Sequence, residues 1–242
     1  ATPWVRPEYM QRGLDAYLLA QAERRTQQII PSIRADARAT LNTSCTEKNQ
    51  IYRQTIEQMG FTYVRTSWVM EIEMAGPPPA PLWPAGIQLR PFTMEMARDV
   101  HAFDEEAFRD HWGFMPIPFE AFENWTLKRA DFDPTLWFIP YDGEQIVGSA
   151  LCEYAGETGW VGGLSIRRPW RRKGVALALL YHAFGEFYRR GIRKVGLDVD
   201  SENLTGATRL YERAGMHIVH QTHQYQKELR AGIELSTQVL DQ

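Results

Sequence analysis

The sequence predicts an α+β chain in which one complete domain follows half of another. Three observations carry that prediction: a strand-helix order of β-α-α-β-β-β-α-β-α-β between residues 87 and 231, a proline-rich break ahead of it, and an internal match of 5–19 with 166–180. The 242 residues exceed one average domain and fall short of two full ones. With 44% apolar and 24% charged residues the chain can bury a core, which excludes a disordered or collagenous protein. Its 27 basic and 30 acidic residues leave a net charge of −3, so no global positive field draws it to nucleic acid or an anionic membrane. Phosphate binding must then be local.

The break is GPPPAPLWPAG, residues 76–86, with five of the 14 prolines and few amide donors for any ladder. It reads as a linker. Ile87, Leu89 and Pro91 alternate with polar neighbours as a first strand, and Met96, Val100, Phe103 and Phe108 show helical spacing over 93–108. FEAFENWTLKRA (119–130) is a second helical stretch. Asp142-Gly143 is a hairpin turn signal between LWFIPY and QIVGSALCEY, and WVGGLSI adds a further strand. After RRPWRRKG, the run 175–190 places Val175, Leu179, Leu180, Ala183, Phe184 and Phe187 on one face, and Gly191 closes it. KVGLDVD (194–200) is a short strand, ATRLYERAG a helix ended by Gly215, and MHIVHQTHQYQKEL a final alternating strand.

The internal match puts Gly13 on Gly174, Tyr9 on Trp170 and Leu18-Leu19 on Leu179-Leu180, without gaps. YRQTIEQMGFTYVR (52–65) repeats the ending of RLYERAGMHIVH, with Gly60-Phe61 on Gly215-Met216. The expected division is therefore 1–75 as the C-terminal half of a degenerate domain, 76–86 as linker, 87–231 as the complete domain and 232–242 as a tail. Restoring the absent half implies a parent chain of roughly 317 residues; the expectation is either a truncation or proteolytic remnant, or a second domain that covers the gap. In the first copy Asp15 stands where the second has Ala176, Met10 where it has Arg171, and Ile56 where it has Tyr211, which makes that copy unfit for catalysis.

Cys45 and Cys152 are far apart and form no ligand spacing, and His217, His220 and His223 alternate faces of one strand, so no metal is expected. Two lone cysteines and the lack of a targeting or membrane-spanning stretch make the cytoplasm the default address. A monomer or homodimer is expected, with no nucleic-acid or membrane partner.

Arg167, Arg168, Arg171, Arg172 and Lys173 lie between a strand and a helix that starts after Gly174. A turn of that kind aims free backbone N–H groups outward at the positive end of the helix dipole, and Gly174 and Ala176 let a ligand approach the backbone. Such geometry suits a pyrophosphate. RRKGVA (171–176) resembles the R/Q-x-x-G-x-G/A motif of the GCN5-related N-acetyltransferases, and LDVDSENLTGATRLYERAGM (197–216) is similar to the second half of that family's domain. The tandem arrangement and FDPTLWFIPYDGEQIVG look most like its mycothiol synthase group. The resemblance implies an α/β/α sandwich around a mixed, mostly antiparallel sheet, and direct transfer of an acetyl group from acetyl-CoA to a primary amine of a small molecule.

By the same resemblance, the edge of Leu164, Ser165 and Ile166 pairs with the pantetheine arm, and Arg171, Arg172, Lys173, Gly174, Val175, Ala176 and Leu177 hold the phosphates. Asn203 binds the pantetheine arm or its loop, or alternatively caps the following helix. Tyr211 occupies the family's position for the general acid that protonates the leaving thiolate. The family's usual carboxylate on the fourth strand is absent, with Trp160 near that place. Glu153 and Asp198 are then the catalytic candidates for the base, with Glu157 and His111 as further alternatives.

Substrate recognition falls, by resemblance, to the first two helices, where Asp104, Glu105, Glu106 and Asp110 interleave with Phe103, Phe108, Trp112 and Phe114. A core-facing stripe with a wet acidic face is one reading; an acidic, aromatic-walled mouth for a cationic amine is the other. On the second, charge reversal at Glu106 or Asp110 raises the KM for the amine. The alternative to an enzyme is a non-catalytic acyl-CoA sensor or scaffold.

Overall fold

The computed structural model describes residues 1–9, 12–203 and 206–238. Its described residues divide into two compact units, neither contiguous in sequence: those within 1–69, 199–202 and 218–235, and those within 70–198, 203–217 and 236–238. Residues 239–242 of the expected tail, like Met10, lie outside the described residues.

The first unit holds α1 (Leu14–Ile29), β1 (Ala39–Thr46), α2 (Gln50–Gln58), the start of β2 (Thr62–Glu73) and most of β9 (His217–Arg230). Burial alternates along β1, with Ala39, Leu41, Thr43 and Cys45 inward, as the two-residue period of a half-covered strand requires. β1 runs antiparallel to β9 from Ala39 opposite Arg230 to Thr46 opposite Thr222. Leu19, Leu41, Ile56, Phe61 and Tyr225 form its core. Asn49 caps α2 by accepting from the Tyr52 amide at 3.1 Å, and the Tyr52 hydroxyl shares a 2.6 Å hydrogen bond with Thr43 inside the unit.

The second unit contains β3 (Ile87–Pro91), α3 (Ala97–Phe108), α4 (Phe119–Phe122), β4 (Trp137–Asp142), β5 (Gln145–Ile146), β6 (Gly148–Ala155), β7 (Thr158–Ile166), α5 (Val175–Arg189), β8 (Lys194–Asp200) up to Asp198, and α6 (Ala207–Arg213). Its strands follow the order β2-β8-β7-β6-β4-β3, with β5 on β4. β3 with β4, β4 with β6 and β6 with β7 are antiparallel, whereas β7 and β8 are parallel, which gives the mixed, mostly antiparallel sheet expected. The second expected helix is shorter than 119–130: α4 passes into a π-helical turn at Glu123–Leu127, closed by the Lys128 amide on the Glu123 carbonyl at 2.9 Å.

α5 buries Val175, Ala178, Leu179, Leu180, Ala183, Phe184 and Phe187, a stripe set by its 3.6-residue period. It ends at Gly191 (φ 85°), where the Ile192 amide reaches back to the Phe187 carbonyl at 2.9 Å. A register shift at Leu151/Cys152 leaves Gly162 as an extra residue in β7. The bulge reverses the alternation, so that Gly159 faces Phe187 of α5 while Gly163 faces Phe108 of α3. Helices thereby cover both faces of β7.

Candidate active site

The turn from β7 to α5 begins with a 3₁₀ turn at Arg168–Trp170 and then turns back through two left-handed residues. Arg172 (φ 62°) is the one non-glycine residue with positive φ among those described, and Gly174 (φ 92°) is the N-cap of α5. No atom lies within 4 Å of where a Cβ on Gly174 would stand, so the position is open as well as left-handed. No side chain caps α5, and the amides of Val175, Ala176 and Leu177, as first-turn groups, lack intrahelical acceptors. An anion is the natural acceptor there.

The five cations separate into two groups. Arg167 pairs with Glu106 at 2.8 Å, Arg168 pairs with Asp110, and Arg171 donates from Nε to the Ile166 carbonyl at 3.0 Å. These tie the turn to α3, to the segment after it and to the end of β7, whereas Arg172 and Lys173 are exposed beside the helix start. Glu106 and Asp110 are thus each paired with an arginine.

Leu164, Ser165 and Ile166 pair on one side with Ala150, Ser149 and Gly148 of β6. On the other side the parallel ladder to β8 covers only Gly159 opposite Val195 and Trp160 opposite Gly196. Beyond Trp160 that edge of β7 has no strand partner among the described residues, so its backbone groups are available to an extended ligand.

Tyr211 is buried on α6, at 7% exposure, and burial pushes its phenol up to about 12, so it is protonated at neutral pH. Gly206 (φ 76°), not Asn203, is the N-cap of α6, and Asn203 is half-buried ahead of it. Glu153 is half-exposed on β6 in an ion pair with Arg129 at 2.9 Å. Asp198 is exposed on β8, and Glu157 is exposed in the β6–β7 turn.

A cavity of about 380 Å³ opens beside α3, lined by His101, Asp104, Glu105, Phe108, His111 and Trp112 among others. The size suits a small molecule. His101 Nε2 lies 3.0 Å from the Ile117 carbonyl, and Glu105 accepts from the Ile117 amide at 3.3 Å, so both help to fix the wall. Asp104 Oδ1 accepts from Ser149 at 2.8 Å and from Ser165 at 3.0 Å, and the two hydroxyl oxygens are 2.9 Å apart. Burial outweighs those two donors and pushes the Asp104 carboxyl up to about 6. In the sequence Asp104 is one of several interleaved acids. A usable signal was its place one turn from Val100 and beside Phe103, on the stripe that α3 buries.

The first copy has the same frame with different chemistry. Gly13 (φ 72°) is the left-handed N-cap of α1, but Asp15 follows in the first turn, accepting from the Ala16 amide at 3.0 Å. Ile56 is fully buried at the place of Tyr211. Among the described residues no group of three or more His, Cys, Asp or Glu is placed to hold a metal ion, and no helix is long and apolar enough to cross a membrane.

The family model for the acetyltransferase (GNAT) family matches residues 97–216, which holds the cavity, the turn and α6. A solved GCN5-related N-acetyltransferase from Sphaerobacter thermophilus is 38% identical and superposes with a TM-score of 0.83 over 98% of this chain and 75% of its own. A tandem GNAT protein from the clavulanic acid biosynthesis pathway shares the fold at 14% identity, with a TM-score of 0.68 over 95% of this chain and 74% of its own. Mycothiol acetyltransferase of Thermobispora bispora is 32% identical over 171 residues, 64% of this chain and 55% of that protein, so the chain spans little more than half of this relative's length. The left-handed glycine before α5, the half-paired β7 and these likenesses agree: the chain belongs to the GCN5-related N-acetyltransferase (GNAT) family.

Proposed function

We propose that the chain is an acetyl-CoA-dependent N-acetyltransferase that acetylates a primary amine of a small molecule by direct attack on the thioester. The observation that carries this reading is the uncapped, left-handed entry to α5 at Gly174 next to the open edge of Leu164–Ile166. One binds phosphate oxygens through the amides of Arg172 to Leu177; the other pairs with the amide groups of the pantetheine arm. Arg172 and Lys173 add positive charge at the turn, and Arg171 braces it through Ile166. Asn203 contributes to holding the arm.

In this reading the amine lone pair attacks the carbonyl carbon, a C–N bond forms, and the C–S bond breaks. The leaving thiolate takes its proton from Tyr211, whose burial keeps the phenol protonated across the working pH range. The cavity beside α3 admits the acceptor, with aromatic walls from Phe108 and Trp112 that suit a cation or an apolar ring.

The test is release of free CoA thiol from acetyl-CoA in the presence of a panel of amines, amino sugars, cysteinyl glycosides and aminoglycosides, with mass spectrometry of the products. Acetylated product with stoichiometric thiol supports the reading. Tight acetyl-CoA binding without release for any acceptor would leave a non-catalytic acyl-CoA sensor in its place.

A further inference from the structure

We propose that Asp104, a residue of the cavity wall whose carboxylate is held from behind by Ser149 and Ser165, is the general base of this site and takes the proton from the acceptor's ammonium group. The assignment rests on the acetyltransferase reading above. Four observations carry it. Asp104 lines the cavity in which an amine would sit. Its carboxylate accepts from two neutral hydroxyls, whereas Glu153 is held by Arg129, and Glu106 and Asp110 by Arg167 and Arg168. A carboxylate compensated by an arginine is a poorer base than one held by hydroxyls alone.

The third observation is a proton count. Asp104 Oδ1, Ser149 Oγ and Ser165 Oγ form a triangle with sides of 2.8, 2.9 and 3.0 Å. The two hydroxyls bring two protons, which can serve two sides; the third side is a hydrogen bond only when the carboxyl carries a proton. The cluster therefore has a place for one more proton in its existing geometry, which suits a group that takes and releases a proton in each turnover. Fourth, Ser165 lies between Leu164 and Ile166, the edge assigned to the acyl arm, so the base and the arm meet the same strand.

Charges around Asp104 act in a definite direction. Glu105, next on α3, disfavours ionisation, β6 and β7 present the neutral Ser149 and Ser165, and His101 and His111 occupy the cavity wall. Arg167 stacks on Phe103 and is engaged with Glu106. In the full cycle the ammonium gives one proton to Asp104, and the neutral nitrogen attacks the thioester carbonyl. The thiolate leaves with the Tyr211 proton, the amide nitrogen returns its remaining surplus proton to the Tyr211 phenolate, and Asp104 releases its proton to water. Proton and electron counts close without another reactant.

The experiment is the pH dependence of kcat/KM, read as CoA release for wild type, Asp104→Asn, Ser149→Ala and Ser165→Ala, with acetyl-CoA affinity measured in parallel. Wild type should lose activity as pH falls through about 6. Asp104→Asn should abolish that acid limb and lower kcat by ~10²-fold with unchanged acetyl-CoA affinity. Each serine variant removes a donor to the ionised form, so its limb should move to higher pH. Should Asp104→Asn fail to fold, the two serine shifts decide alone. An acid limb retained in Asp104→Asn, or unmoved in both serine variants, overturns the assignment. Wild type that releases no CoA with any acceptor overturns the acetyltransferase reading itself, which is a separate outcome.

Discussion

Gly13 and Gly174 cap α1 and α5 in the same left-handed conformation, with φ of 72° and 92°, at equivalent positions of the internal repeat. The same left-handed turn thus precedes a helix in which Asp15 follows the cap and places a carboxyl in the first turn. The shared conformation and the differing charge allow a structural role to be separated from a ligand role by substitution.

Alanine at either glycine tests that separation. Both positions are open in space, so the cost is the left-handed backbone alone, about 1–2 kcal/mol in each case. Urea unfolding should show similar losses for Gly13→Ala and Gly174→Ala. Calorimetry should show weakened acetyl-CoA binding for Gly174→Ala only. Equal weakening by both variants would remove the distinction between the copies.

Tyr211→Phe deletes one oxygen from a buried side chain and leaves its packing in place. It should retain acetyl-CoA affinity and lose ~10²-fold in turnover, the usual size of lost acid catalysis. A variant with wild-type kcat would take Tyr211 out of the mechanism.

Asp104 also predicts a pH dependence of stability that needs no substrate. Its folded carboxyl titrates near 6 against an ordinary 3.8, so folding favours the protonated form. The folded state therefore carries no penalty below the unfolded value, and one that grows as pH rises from about 4 to about 6 and is constant above. The full penalty is at most about 3 kcal/mol. Compared with wild type, Asp104→Asn should show a smaller loss of unfolding free energy between pH 4 and pH 7. Parallel curves for the two proteins would contradict the raised titration.

Gly159 is required by contact rather than by conformation. A Cβ there would stand 2.7 Å from the Phe187 ring, which is fully buried on α5. Gly159→Ala should cost about 1–3 kcal/mol by overpacking. Gly159→Ala combined with Phe187→Leu should recover part of that loss, measured by urea midpoint at constant slope; no recovery would place the strain elsewhere.

Much of the second unit was legible locally. α5 starts after Gly174 and buries the stripe its spacing dictates, β8 occupies 194–200 as read, and Gly191 closes α5 in the left-handed form. Each follows from neighbours within a turn or two, where periodicity and cap chemistry act. The α4 segment differs from the expected helix because its apolar spacing is helical in general, and only the Lys128 amide meeting the Glu123 carbonyl makes the last turn a π turn.

The sequence by itself determined the glycine turn before α5, the repeat that aligns Gly13 with Gly174, and Tyr211 inside α6. Tertiary structure alone decided that β9 lies antiparallel to β1, that Arg167 and Arg168 neutralise Glu106 and Asp110, and that Asp104 meets Ser149 and Ser165. The reason is sequence separation. Those partners are tens to hundreds of residues apart, and which carboxylate loses its water or gains a cation is fixed by packing that no local pattern encodes.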